Sequence, residues 1–227
     1  MTLKRLGVLK HMSPGVSRKT RRAMSHEKTL LVDSLPIYKE ELLIRQLERL
    51  DMDLLLKWPV YPWPHDIFRF SFSGYAADKL DCVYEARIHE TDRITLVVDM
   101  NKESAIGYIA LLQVDWVKRI SGNMSFRIHP EFCDQGVGSH IISVVRDWWF
   151  GHGMNVLRLD VAATNQRAIR CYLNAGFQKT GEFWREASDL AGKDLNEQKY
   201  HFLGNHVDCN EEIPKIRFYW MEMKTGQ

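Results

Sequence analysis

The chain has 227 residues, 45% of them apolar, with a formal net charge of +2; this is enough to bury one full core, and no apolar run approaches the length of a membrane span. Residues 1–26 carry seven Lys/Arg and no acid, leaving 24 basic against 29 acidic residues in the rest, so the body is mildly acidic, which argues against a nucleic-acid-coating surface. Cys82, Cys133, Cys171 and Cys209 form no C-x-x-C pair and read as reduced thiols of a cytoplasmic protein, not as a disulfide framework.

Residues 1–34 read as a basic, disordered tail ahead of one domain at residues 35–227. Residues 41–47 alternate enough for a first strand, and residues 48–58 have helical period until Pro59, Pro62 and Pro64 stop them. Residues 60–73 are aromatic-rich and broken by proline, as in a loop packed on an apolar surface. Residues 75–89 return to helical period. Strands are expected at residues 93–99 and 105–116, joined by a turn at 101–104, and at 122–128 after the basic turn 118–121. His129-Pro130 ends that strand and a glycine turn follows, Cys133-Asp134-Gln135-Gly136-Val137-Gly138. It feeds an apolar-periodic helix at 139–149, a strand at 156–161 and a helix at 166–175, with Gly176 suited to a left-handed helix stop. A strand to residue 185, a polar segment at 186–214 and a last strand at 215–223 complete the chain.

A strand, a glycine turn and a helix start make an anion site, because the first amide N–H groups of a helix have no partner within it and the dipole favours negative charge. The turn lacks the Lys-Ser/Thr of a nucleoside-triphosphate loop, and Ile141 stands where a dinucleotide fold needs its third glycine. The second half of the motif is more specific. In Asn165-Gln166-Arg167-Ala168-Ile169-Arg170-Cys171-Tyr172-Leu173-Asn174-Ala175-Gly176-Phe177, Ala168 and Tyr172 lie four apart and share a helix face.

Together the turn and the N-x-x-A-x-x-x-Y-x-x-x-G-F pattern resemble the GNAT superfamily of N-acetyltransferases. The resemblance implies an α/β (α+β) fold: a mixed, largely antiparallel sheet with splayed central strands, flanked by helices. It implies acetyl-coenzyme A (acetyl-CoA) as co-substrate and no metal. The diphosphate would sit on the turn Cys133, Asp134, Gln135, Gly136, Val137, Gly138 and Ser139. The pantetheine arm would lie along Phe126, Arg127 and Ile128, with Asn165 and Ala168 nearby. The family's turn usually begins with Arg or Gln, and here that position is Cys133. Asn165 serves either as a helix cap or as a tie to the cofactor arm.

The implied reaction is acetyl transfer to a primary amine, such as a protein N-terminus, a polyamine or another small amine, by direct attack in a ternary complex. Tyr172 is the expected proton donor to the leaving thiolate. The general base is less defined: Asp115 at the end of its strand is the candidate, beside a water chain, with Glu85 and His89 on a neighbouring helix. Segment 186–214 holds seven acids against two lysines and is either a solvated insertion or an acidic rim that draws cationic amines. His201, His206 and Cys209 fit no established zinc spacing. The expected partners are acetyl-CoA and the amine, with no nucleic acid and no membrane; a homodimer stays open. The competing class is a non-catalytic module of the same fold that binds acetyl-CoA for sensing or scaffolding.

Overall fold

The computed structural model describes residues 18–65, 77–101 and 103–226; the expected tail at 1–34, aromatic loop at 60–73 and helix at 75–89 therefore lie partly outside the described residues. In chain order the elements are α1 (Arg18–Val32), β1 (Ile37–Lys39), β2 (Leu42–Gln46), α2 (Arg49–Leu56), α3 (Ala77–His89), β3 (Ile94–Met100), β4 (Glu103–Asp115), β5 (Ile120–Ile128), α4 (Val137–Gly151), β6 (Val156–Ala162), α5 (Gln166–Asn174), β7 (Gln178–Glu186), β8 (Val207–Asp208) and β9 (Lys215–Lys224). The strands make one sheet in the order β1-β2-β3-β4-β5-β6-β9-β7, with β8 paired to β9. The contact between β5 and β6 is parallel and every other pairing is antiparallel.

Apolar residues on both faces of the central strands give the sheet two covers. Ile94, Leu96 and Val98 of β3 join Ile109 and Leu111 of β4 beneath the α4 stripe Ile141, Val145, Trp148 and Trp149. The residues between them, Val97, Tyr108 and Ala110, face the other way and pack with Met52 and Leu55 of α2 and Leu80 of α3. Arg45 of β2 ties that second layer to the sheet. Its guanidinium makes a bidentate pair with Asp51 of α2, both bonds at 2.7 Å, and donates through Nε to Asp99 of β3 at 2.8 Å. Asp51 is 2% exposed and also accepts from the Glu48 amide at 2.7 Å, closing the start of α2.

Two expectations are corrected by the fold. The tail does not extend to residue 34, because α1 is a packed helix. Leu31 joins the main core, Lys28 donates to the Ile88 and Glu90 carbonyls at the end of α3 (2.5 and 2.6 Å), and Trp148 of α4 donates to Ser34 Oγ at 2.7 Å. A lysine at a helix C-terminus is also favoured by the dipole. Nor is segment 186–214 simply solvated. Leu190, Tyr200 and Leu203 form a small core of their own with Ala162 and Ile216, and Trp63 sets its ring edge-on against Tyr200 and Phe202.

One feature of the sheet creates space. β5 and β6 are in register only at Ile120↔Val156 and Ser121↔Leu157. Beyond that point β5 stays with β4 as far as Gly107↔Ile128, while β6 stays with β9 as far as Ala162↔Phe218. The strands diverge, and α4 and α5 start at the open end of the gap.

Candidate active site

The gap between β5 and β6 is a cavity of about 740 Å³. The glycine turn lies at one end. Gly136 sits at φ +80°, a left-handed conformation that disfavours side chains, and it caps α4 without a side chain of its own. The first backbone bond of the helix runs from the His140 amide to the Gly136 carbonyl, so the amides before it are left without a helical acceptor. Gly138 lies where a Cβ would come within 3.3 Å of Cys171 Sγ and 3.5 Å of Phe126. Helix α4 therefore begins in close contact with both α5 and β5.

Most of the expected cofactor residues meet at this cavity. Phe126, Arg127 and Ile128 line it from β5, and Cys133, Asp134, Gly136, Gly138 and Ser139 line it from the turn. Asn165 and Ala168 line it from α5. Two do not reach it with their side chains. Gln135 turns back to donate to the Glu131 carbonyl at 2.5 Å, because that turn carbonyl offers it a local partner. Val137 packs against the main core instead. Asn165 is a helix cap: its Oδ1 accepts from the Ala168 amide at 3.1 Å. The Cys133 thiol is half-buried, and burial pushes its pKa up, so it stays neutral.

Tyr172 lines the cavity from α5, with its ring 5.9 Å from Phe177. The helix ends one turn later on Gly176 at φ +102°, where the Phe177 amide donates to the Tyr172 carbonyl at 3.0 Å. No group among the described residues hydrogen-bonds the Tyr172 hydroxyl. Burial pushes its pKa above the ordinary phenol value, against a smaller opposing effect of Arg127.

Asp115 is not at the cavity. It lies at the other end of β4, opposite Ile120, where β5 and β6 are still paired. There its carboxylate closes its own turn, accepting from the Val117 and Lys118 amides at 3.1 and 2.9 Å, and these bonds hold its pKa below the usual range. The assignment of Asp115 as base is corrected for that reason. Asp160 on β6 lines the cavity instead. Its Oδ1 accepts from Asn123 across the gap at 3.4 Å, its Oδ2 pairs with Arg185 of β7, and its charge is felt at the Tyr172 hydroxyl. In the alternating strand Arg158-Leu159-Asp160 a carboxylate reads as a solvent-facing residue; the available signal was its position on the strand that runs into Asn165.

Of the acids in the 186–214 segment, Glu186 and Asp189 reach the cavity wall. Others are used locally: Asp194 and Asp208 accept from backbone amides two residues on, and Glu197 pairs with Lys199. Among the described residues no group of three His, Cys, Asp or Glu side chains could hold a metal ion, and no helix is long and apolar enough to cross a membrane.

The profile of the acetyltransferase (GNAT) family matches residues 57–177, just over half of the chain. The chain belongs to this family. The matched span of this GNAT chain runs from the end of α2 through the glycine turn to Phe177, and so takes in both diverging strands. One characterised relative is the spermidine N(1)-acetyltransferase of Vibrio cholerae, 26% identical over 110 residues, which is 48% of this chain and 63% of that protein. The chain thus spans less than two thirds of that relative's length. Among solved structures, the spermidine N-acetyltransferase of Vibrio cholerae in complex with CoA and spermine superimposes with a TM-score of 0.60 at 20% identity, over 82% of this chain and 96% of that one. A dodecameric structure of the same enzyme in an intermediate state gives 0.55 at 18% identity, over 82% and 95%. At these identities the structures share the fold, a largely antiparallel sheet opened at its centre.

Proposed function

We propose that this chain is an acetyl-CoA dependent N-acetyltransferase whose acceptor is a primary amine, with polyamines as the favoured class. One observation carries the activity: the cavity where β5 leaves β6 has an anion-binding helix start at one end and both Tyr172 and Asp160 in its walls. The polyamine class rests on the spermidine acetyltransferases among the relatives and on the Glu186 and Asp189 carboxylates at the same cavity.

The residues fit acetyl-CoA. A Cβ on Gly138 would crowd Cys171 and Phe126, and Gly136 leaves the space before α4 open. The free amides at the start of α4 would hold the diphosphate. The unpaired half of β5 would carry the pantetheine arm as an added strand edge. When bound, acetyl-CoA supplies an acetyl group activated as a thioester.

This chain's residues do the remaining work. Asp160, on the strand that borders the gap, can take a proton from the acceptor's ammonium group and so free the neutral amine to attack the thioester carbonyl. Asn123 and Arg185 fix its two oxygens. Tyr172 keeps its proton, because burial disfavours the phenolate, and can deliver it to the departing sulfur. A phenol with pKa above ~10 is a weak acid for a thiolate whose conjugate acid is near ~8.5, so its contribution comes from position, not from driving force.

The test is thiol release from acetyl-CoA with spermidine, spermine, simple monoamines and N-terminal peptides. Turnover on polyamines above the other amines supports both parts of the assignment. Turnover on peptides alone would replace the acceptor class. Coenzyme A binding without turnover on any amine would make the chain a binding module.

A further inference from the structure

The turn that starts α4 lacks a cation of its own. Cys133 is a neutral thiol, Gln135 is turned to Glu131, and the Ser139 hydroxyl is directed to Cys171 Sγ at 3.5 Å. The turn does carry a negative charge, Asp134, held at φ +61° on the cavity wall. A diphosphate brought to these amides would meet that carboxylate. Free amides alone would have to outweigh the repulsion.

The missing charge comes from another element. Arg167 lies in the first turn of α5, immediately beyond the Asn165 cap. Its side chain is 22% exposed and lines the same cavity, with Nη1 3.7 Å from Asp134 Oδ2. The guanidinium carbon lies 5.5 Å from the centre of the Tyr61 ring, and Tyr61 is itself anchored by its hydroxyl to the Ile128 carbonyl at 2.5 Å. Burial raises the Cys133 and Cys171 thiols, and the Arg167 charge opposes that at both. A guanidinium held against an aromatic ring loses little freedom on binding a second partner.

From these contacts we infer that Arg167 is the phosphate-binding cation of this site, parked on Asp134 until a diphosphate ligand arrives and then shared with it. The inference rests on the coenzyme reading above and adds which residue of this chain grips the diphosphate. Arg167 acts in binding and not in proton transfer. Arg170, also on the cavity wall, is exposed and one helical turn nearer Tyr172.

The experiment is calorimetric titration of the full chain with coenzyme A, beside saturation with S-acetylpantetheine, which has the same arm and no phosphate. Arg167→Met weakens coenzyme A roughly 10- to 100-fold, the range for a charge-assisted hydrogen bond. It leaves S-acetylpantetheine within about 2-fold and flattens the salt dependence of coenzyme A binding. Asp134→Asn tightens coenzyme A by roughly 2- to 5-fold, as expected for removal of an exposed competing charge. Equal losses on both ligands, or a larger loss from Arg170→Met than from Arg167→Met, overturn the assignment to Arg167 while the proposed function stands. Failure of the unaltered chain to bind coenzyme A defeats the function and this inference together.

Discussion

Replacing Tyr172 by phenylalanine separates chemistry from architecture at a single atom. The hydroxyl has no hydrogen-bond partner among the described residues, and the ring keeps its packing on Phe177. Its loss leaves no donor or acceptor stranded, so unfolding free energy should change by less than about 0.5 kcal/mol. Coenzyme A affinity should hold as well, because the diphosphate site lies at the start of α4. The rate should not hold. A positioned acid contributes roughly 10²- to 10⁴-fold, equivalent to about 2.7–5.4 kcal/mol of barrier, and kcat of Tyr172→Phe should fall by that factor. Burial raises the phenol's pKa, so Tyr172 stays protonated across neutral and mildly alkaline pH. The wild-type pH–rate profile should therefore show no decline from this group below pH ~10. Steady-state kinetics from pH 6 to 9.5, with a urea titration of both proteins, test each part. A variant that keeps more than a third of wild-type kcat, with stability intact, refutes the assignment of Tyr172 as acid.

Asp160→Asn should lower kcat by roughly 10²-fold or more with coenzyme A affinity unchanged; a variant with wild-type kcat removes Asp160 from the reaction. Gly138→Val should cost about 1–3 kcal/mol in stability through overpacking and weaken coenzyme A at least ~10-fold, since even a Cβ meets Cys171 and Phe126; thermal melts and titration decide, and unchanged affinity would place the ligand elsewhere. Arg45→Met should destabilise the fold by about 3–5 kcal/mol, because it leaves the buried Asp51 carboxylate without its partner. A loss below about 1 kcal/mol on urea unfolding would mean that the Glu48 amide and solvent suffice to hold the Asp51 charge.

What the sequence made legible is local. The strand–turn–helix around Gly136, the amphipathic stripe of α4 and the stop at Gly176 are each written in a few neighbouring residues, and the structure forms them where the pattern places them. Tertiary contacts govern the rest. Helix α1 has helical period, but its sequence is so basic and polar on average that it reads as a tail; it is held by Lys28 on the end of α3 and by Leu31 in the core. The core of segment 186–214 joins Leu190, Tyr200 and Leu203 to Ala162 and Ile216, residues too far apart in sequence to form a periodic pattern. Asp115 and Asp160 show the same limit within the site. Both are carboxylates on strands, and only the point at which β5 leaves β6 reveals that one faces the cavity and the other closes a turn at the paired end.

The most direct measurement is a crystal structure of the full chain with coenzyme A. Diphosphate oxygens are expected on the amides of Val137 to Ser139, and sulfur in the gap between β5 and β6, within reach of the Tyr172 hydroxyl. Coenzyme A bound on another surface, or its sulfur directed to the paired end of the sheet near Asp115, would contradict this placement.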